Sequence, residues 1–228
     1  MPVGAGNTRL RLVHAALLAG VLTGCAETSG GGTRASTPAT ADSSGPGAKA
    51  AEMGTTIGAP GSACELPVTF DIARNWKAKA VDAEAASGDG TGDSGDLGSD
   101  IAAALLRQGP VTAACEVDAK PAGNIGFLRV WTGEPGTDDA RTVLKAFVAA
   151  EDGASRAEYR TFTAGDLDGV EVEYQYTSEL LDETKQEHAL AVTTARGPVV
   201  LHLGGLDDGE HRAMLPAFEL AKRTLRTA

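Results

Sequence analysis

The chain has 228 residues, 42% of them hydrophobic but only 4% aromatic, and a formal net charge of −11 at pH 7. An acidic surface repels phosphate backbones, which argues against nucleic acid as a partner, and it repels anionic lipid headgroups as well. With so few aromatics, any core must be built mainly from Val, Leu, Ala and Ile.

Arg9 and Arg11 form a basic start without an acidic residue, and Leu12 to Leu22 is a short apolar run. That run is too short for a bilayer-spanning helix, which needs about 20 residues. It suits the central part of a signal peptide, roughly 7–15 residues long. It ends in Leu22-Thr23-Gly24-Cys25, which resembles the bacterial lipobox. The resemblance implies a signal peptide over residues 1–24, with Cys25 as the lipidated residue and mature N-terminus. No Arg-Arg pair points to twin-arginine export. Removing residues 1–24 takes away Arg9 and Arg11 and no acid, so the charge falls from −11 to −13. The acyl chains, not the protein face, are then expected to hold the membrane.

Residues 25–63 are rich in Gly, Ser, Thr, Ala and Pro and almost free of large apolar side chains. Such a segment cannot bury enough surface to offset its ordering entropy, so it reads as a disordered tether. Its root-mean-square reach would be roughly 30–37 Å. The remaining 64–228 is long enough for one domain with its own core. With Cys25 lipidated, Cys64 and Cys115 are an even pair in an oxidising compartment, and a disulfide between them is expected. The alternative, a reactive or metal-binding thiol, has little to support it, since neither Cys lies in a C-x-x-C or near a His.

Within the domain, Leu66 to Ile72 alternates as a strand, with Val68, Phe70 and Ile72 on one face and Trp76 following as a cap on the core. Residues 82–99 are a low-complexity, disordered Gly/Asp loop. Asp100 to Gln108 predicts a short helix capped by Ser99. Val111 to Val117 predicts a strand carrying Cys115. Asn124 to Trp131 is apolar on both faces, which predicts a central strand covered on both sides. Thr137 to Glu151 predicts a helix capped by Thr137, with Val143, Leu144, Phe147 and Val148 as its apolar stripe. Tyr159 to Thr163, Val170 to Tyr176, Glu187 to Thr194 and Pro198 to Leu203 predict four consecutive strands, the last two joined by a turn at Ala195-Arg196-Gly197. A helix closes the chain from about Asp208 to Arg226, with Asp207 and Glu210 resembling a capping box and Met214, Leu215, Phe218, Ala221 and Leu225 as its stripe. Pro216 is awkward inside that helix and would suit a start near Leu215.

Four strands in a row imply an antiparallel sheet, and helices on both faces make an α+β fold, an α/β/α sandwich. The order of elements, the opening Val-Thr-Phe-Asp-Ile-Ala-Arg-Asn-Trp, the Val-Val-Leu-His-Leu-Gly-Gly strand and the closing helix resemble the PsbP/Mog-like sandwich, shared by bacterial lipoproteins of the LpqN/LpqT type. The resemblance covers roughly Cys64 to Ala228. It implies an envelope accessory or binding protein without catalysis, and it carries no catalytic residue onto this chain.

Patterns that could carry chemistry fall short of it. Gly92-Asp93-Ser94-Gly95 resembles the start of a chymotrypsin-type serine signature, but Asp96 follows and no His precedes Ser94 in the mature chain. Asp89, Asp93, Asp96 and Asp100 lack the spacing and closing Glu of a calcium loop. His188 and His202 lie on strands, where a lone His is more often packed than a metal ligand. The expectation is a lipid-anchored, extracytoplasmic, non-enzymatic protein without cofactor, binding an envelope membrane protein or an apolar ligand. Trp76, Trp131, Tyr174 and Tyr176 are its candidate contact residues, because aromatics are enriched at interfaces, with plain core packing as the stronger alternative for them. The alternative is a hydrolase using acids such as Glu171 and Glu173.

Overall fold

The computed structural model describes residues 49–81 and 106–228. Cys25, the signal segment, most of the expected tether and the Gly/Asp loop with its serine and aspartate patterns lie outside them. In chain order the elements are β1 (Met53–Ile57), β2 (Val68–Ala73), β3 (Lys77–Ala80), β4 (Arg107–Gln108), β5 (Val111–Asp118), a 3-10 turn (Lys120–Ala122), β6 (Gly126–Thr132), α1 (Ala140–Ala149), β7 (Ala154–Ala164), β8 (Leu167–Ser178), β9 (Glu183–Thr194), β10 (Gly197–Gly205), α2 (Asp208–Thr224) and β11 (Arg226–Thr227).

The main sheet runs β3-β5-β6-β10-β9-β8-β7, with β4 also paired to β5, and a small sheet runs β1-β2-β11. Every strand pair is antiparallel. The expected α+β sandwich is thus present, and one outer layer is more elaborate than expected. α1 covers one face through Val143, Leu144, Phe147 and Val148, packed on Trp131, Val172 and Val200. The other face is covered by α2 together with β2, whose Val68, Phe70 and Ile72 join Leu128, Val130, Leu201 and Phe218. β6 lies between β5 and β10 with both layers over it, as its two apolar faces require.

Four local expectations are corrected. The tether ends earlier than residue 63, because Met53–Ile57 pairs with β2. Its side chains are exposed except Ile57, so no amphipathic pattern announces it. Of the expected helix at Asp100–Gln108, residues 100–105 lie outside the described residues, and Arg107 and Gln108 form β4 instead, folding back on Thr112 and Val111 around Gly109-Pro110. α1 is capped by Asp139, not Thr137, and the Asp139 carboxylate accepts from the Thr142 amide at 2.7 Å. α2 runs unbroken through Pro216 from its Asp207 cap. The proline lacks an N–H and crowds the carbonyl four residues back. Met214, Ala217, Phe218 and Ala221 bury the helix on the sheet around it, and that burial outweighs the lost bond.

The Cys64–Cys115 disulfide is present and spans 51 residues. Both cysteines are buried, and the bond ties the segment after β1 to β5 in the main sheet. Gly58, with φ at 104°, makes the turn out of β1, and a Cβ there would lie 1.9 Å from the Val68 carbonyl oxygen.

Candidate functional site

α1 has ten residues and so is about 15 Å long. β8 and β9 have twelve each, about 40 Å. The helix therefore cannot cover its whole face of the sheet, and the sequence changes character where the cover ends. Under α1 the inward side chains are Val170, Val172, Ala189, Ala191, Val200 and Trp131. Beyond it, the same alternation delivers Tyr174 and Tyr176 from β8, Glu187 and Lys185 from β9, His202 from β10, and Arg129 and Phe127 from β6. The registers Glu116↔Arg129, Arg129↔His202 and Tyr174↔Glu187 place them side by side.

These groups form one connected network. The Tyr174 hydroxyl donates to Glu151, just past α1, at 2.6 Å. His202 Nε2 lies 2.9 Å from Glu187 Oε2 and 3.2 Å from the Tyr174 oxygen. A carboxylate only accepts, so Nε2 carries the proton it gives to Glu187. Lys185 pairs with Glu187 Oε1 at 2.8 Å and donates to the Gly205 carbonyl at 2.6 Å. Burial alone would raise Glu187, but the hydrogen bonds and charges of His202 and Lys185 offset it and hold the carboxyl below its ordinary range. Burial, followed by the Glu151 charge and hydrogen bond, pushes the Tyr174 hydroxyl far up, so it stays protonated. Alongside, Arg129 bonds Glu116 at 2.5 Å and lies 4.3 Å over the Phe127 ring. The same ring packs on Gly204, where a Cβ would come within 2.9 Å of it.

The network floors an open pocket of about 530 Å³, with Ile125 and Leu206 on its rim. Tyr176, Lys185, Gly205 and Leu206 also line an adjoining groove of about 490 Å³, with Leu181 and Glu183 opposite. Ile125, Leu180, Leu181 and Leu206 are four of the five exposed large apolar side chains among the described residues, the fifth being Met53 on β1. Leu206 is tied to Ile125 by a backbone hydrogen bond of 3.1 Å.

The expected contact aromatics separate. Trp76, Trp131 and Tyr174 are buried and belong to the core, so the reading of them as surface contact residues is corrected; Trp131 keeps an edge in the wall of the 530 Å³ pocket and Trp76 lines a separate shallow one, while Tyr174 lines neither. The buried Trp131 indole Nε1 has no hydrogen-bond partner among the described residues. Tyr176 is half-exposed and lines both pockets, with the Lys185 ammonium 5.5 Å above its ring. Glu171 and Glu173 point to the α2 face. Glu171 pairs with Lys222 at 2.6 Å, and Glu173 lies 3.9 Å from both Arg160 and His188. On that face His188 and His211 stack, ring centroids 4.9 Å apart, with Nδ1 of one 2.7 Å from Nε2 of the other. Burial, then the neighbouring His188 charge, pushes His211 down to about 4. No group of three metal-ligating side chains occurs among the described residues. No helix among them is long and apolar enough to cross a membrane.

Sequence reasoning missed the Tyr174–His202–Glu187 network, because its members come from three strands and only register joins them. It also missed the Leu180-Leu181 pair, which had a visible signal: two large apolar residues between Glu179 and Asp182, where a hairpin turn calls for polar or small residues.

Comparison with known proteins gives one family and a fold likeness. No curated protein matches the chain. Among solved structures, the chain is similar to the solution structure of cyanobacterial PsbP (CyanoP) from Synechocystis sp. PCC 6803, at 12% identity, over 81% of this chain and 98% of that one, with a TM-score of 0.48. The family model Lipoprotein_23, described as "Uncharacterised lipoprotein", matches residues 34–225, and the chain belongs to that lipoprotein family.

Proposed function

We propose that this lipoprotein is a non-enzymatic binding module, anchored through lipid on Cys25 to the extracytoplasmic face of the cell membrane. It docks a membrane-protein partner or an apolar envelope component as an accessory or signalling modulator. The observation that carries the reading is the gathering of Ile125, Leu181 and Leu206 around two adjoining pockets at one end of the sheet. Isolated exposed apolar residues are ordinary, but a cluster rimmed by polar groups marks an interaction surface. The neighbouring charges favour binding over bond-breaking, since Glu187, His202, Lys185, Arg129 and Glu116 are engaged with one another.

The test is cross-linking in intact cells, comparing wild type, Cys25→Ala and a Leu181→Glu/Leu206→Glu double variant by mass spectrometry of what co-purifies. One recurrent partner, lost in both variants, is the expected result. The same partners in wild type and double variant would remove this end of the sheet from the function.

A further inference from the structure

The groove that Leu181 and Leu206 line has a rim of one sign. The hairpin turn between β8 and β9 reads Glu179-Leu180-Leu181-Asp182 and leads into Glu183, and all three acids are exposed. None of Glu179, Asp182 and Glu183 enters an ion pair among the described residues. Glu183 lines the groove itself, with Glu179 and Asp182 beside it on the turn, and Asp207, the exposed cap of α2, lines it too. The basic side chain of the groove, Lys185, is taken by Glu187 and the Gly205 carbonyl. Leu180 at 92% and Leu181 at 64% exposure leave most of their apolar surface in water rather than packed in their own hairpin.

Apolar side chains bordered by unpaired acids are complementary to a partner with the opposite border. We infer that the groove receives a polypeptide segment of an envelope protein that presents apolar side chains flanked by Lys or Arg. This rests on the docking reading above and adds the partner's chemistry. A bilayer is a poorer occupant, because anionic headgroups would meet the same acids. The chain's own segment 82–100 is a poorer occupant too, since Asp82, Glu84, Asp89, Asp93, Asp96 and Asp100 give it the wrong sign.

The test uses the full lipidated chain in cells, with a photo-cross-linking residue at exposed Thr184 on the groove wall, and sequences the attached peptide. In parallel, the purified chain is titrated with three synthetic peptides of equal length: alternating Leu/Lys, alternating Leu/Glu and alternating Ser/Lys. The expected cross-linked segment is apolar with a net positive charge, and only the Leu/Lys peptide binds. Leu181→Glu/Leu206→Glu should weaken that binding about a hundredfold. Glu179→Gln/Asp182→Asn/Glu183→Gln should weaken it about tenfold, with the difference shrinking at high salt. A cross-linked segment that is apolar but neutral or acidic, or equal binding of the Leu/Glu peptide, overturns the inference and leaves the docking reading standing. Equal binding of the Ser/Lys peptide overturns it as general attraction to an acidic surface. Sedimentation showing a dimer that the Leu181→Glu/Leu206→Glu variant dissolves would overturn it in favour of a second copy of this chain. No segment captured and no peptide bound would overturn the inference and leave the docking reading only its apolar envelope component.

Discussion

The stacked pair His188–His211 should make the protein lose stability in mild acid, well before its carboxylates are titrated. An unfolded chain binds a proton on His211 near pH 6.5, whereas in the folded protein burial and the neighbouring His188 hold that step down to about 4. Between those values the unfolded state carries more protons, so stability falls as pH falls; it is complete above about 6.5 and fully lost below about 4. The separation corresponds to about 3 kcal/mol in all, of which about 2 kcal/mol is gone by pH 5. Burial lowers His188 in the same direction and adds to the slope. Glu171, Glu173, Glu187, Glu219, Asp208, Lys222 and His202 surround the pair, and the acids among them pull the other way without reversing the shift. Glu187, Asp139 and Asp166 also have lowered values, but carboxylates act only as pH approaches their own range near 4 and below. The window from pH 7.5 to 5 therefore isolates the histidines. The assay is guanidinium unfolding across that window for wild type and His211→Phe, which keeps a ring against His188. The wild type should lose about 2 kcal/mol, or about 4–8 °C in Tm, and the variant distinctly less. Equal slopes in the two proteins would refute the reasoning.

Other outcomes follow from the same description. Breaking the Cys64–Cys115 bond by Cys→Ala at both positions should cost about 4 kcal/mol from its 51-residue loop, read as a lower denaturation midpoint. His202→Leu should cost about 3–5 kcal/mol, because the buried Glu187 loses one of its two partners, while Lys185 remains. Gly58→Ala should cost about 1–3 kcal/mol, since alanine at a φ of 104° drives its Cβ into the Val68 carbonyl. Leu181→Glu/Leu206→Glu should leave unfolding within about 0.5 kcal/mol of wild type, as both side chains are on the surface.

Much of the fold was legible in local pattern. The alternation Val170 to Tyr176 and the stripe Val143, Leu144, Phe147, Val148 are unambiguous, because each repeats with the period of one element against one layer. β1 was hidden because its pairing with Asp71 and Phe70 is long-range and its side chains face water. Pro216 misled because local chain chemistry argues for a break that tertiary burial overrides. The site was half visible. Alternation puts His202 on the Val200 face and Glu187 on the Ala189 face, but only the antiparallel register of β10 on β9 makes them neighbours. Aromatic type alone pointed to Trp76, Trp131 and Tyr174, but all three are core residues, and Trp131 meets the candidate pocket only by an edge.

The way β1 and the disulfide join the domain also sets what happens when the protein is pulled from the membrane side. Tension arriving through the N-terminal chain first meets β1, whose ladder to β2 is short and interrupted. If that ladder unzips, the chain pays out only as far as Cys64, releasing eleven residues from Met53 onward, about 35–40 Å of slack. Beyond that point the load passes through the sulfur bridge straight into β5 and bypasses residues 65–114. The small sheet would act as an extensible link and the main sheet as the fixed end, so pulling would lengthen the leash and leave the groove undeformed.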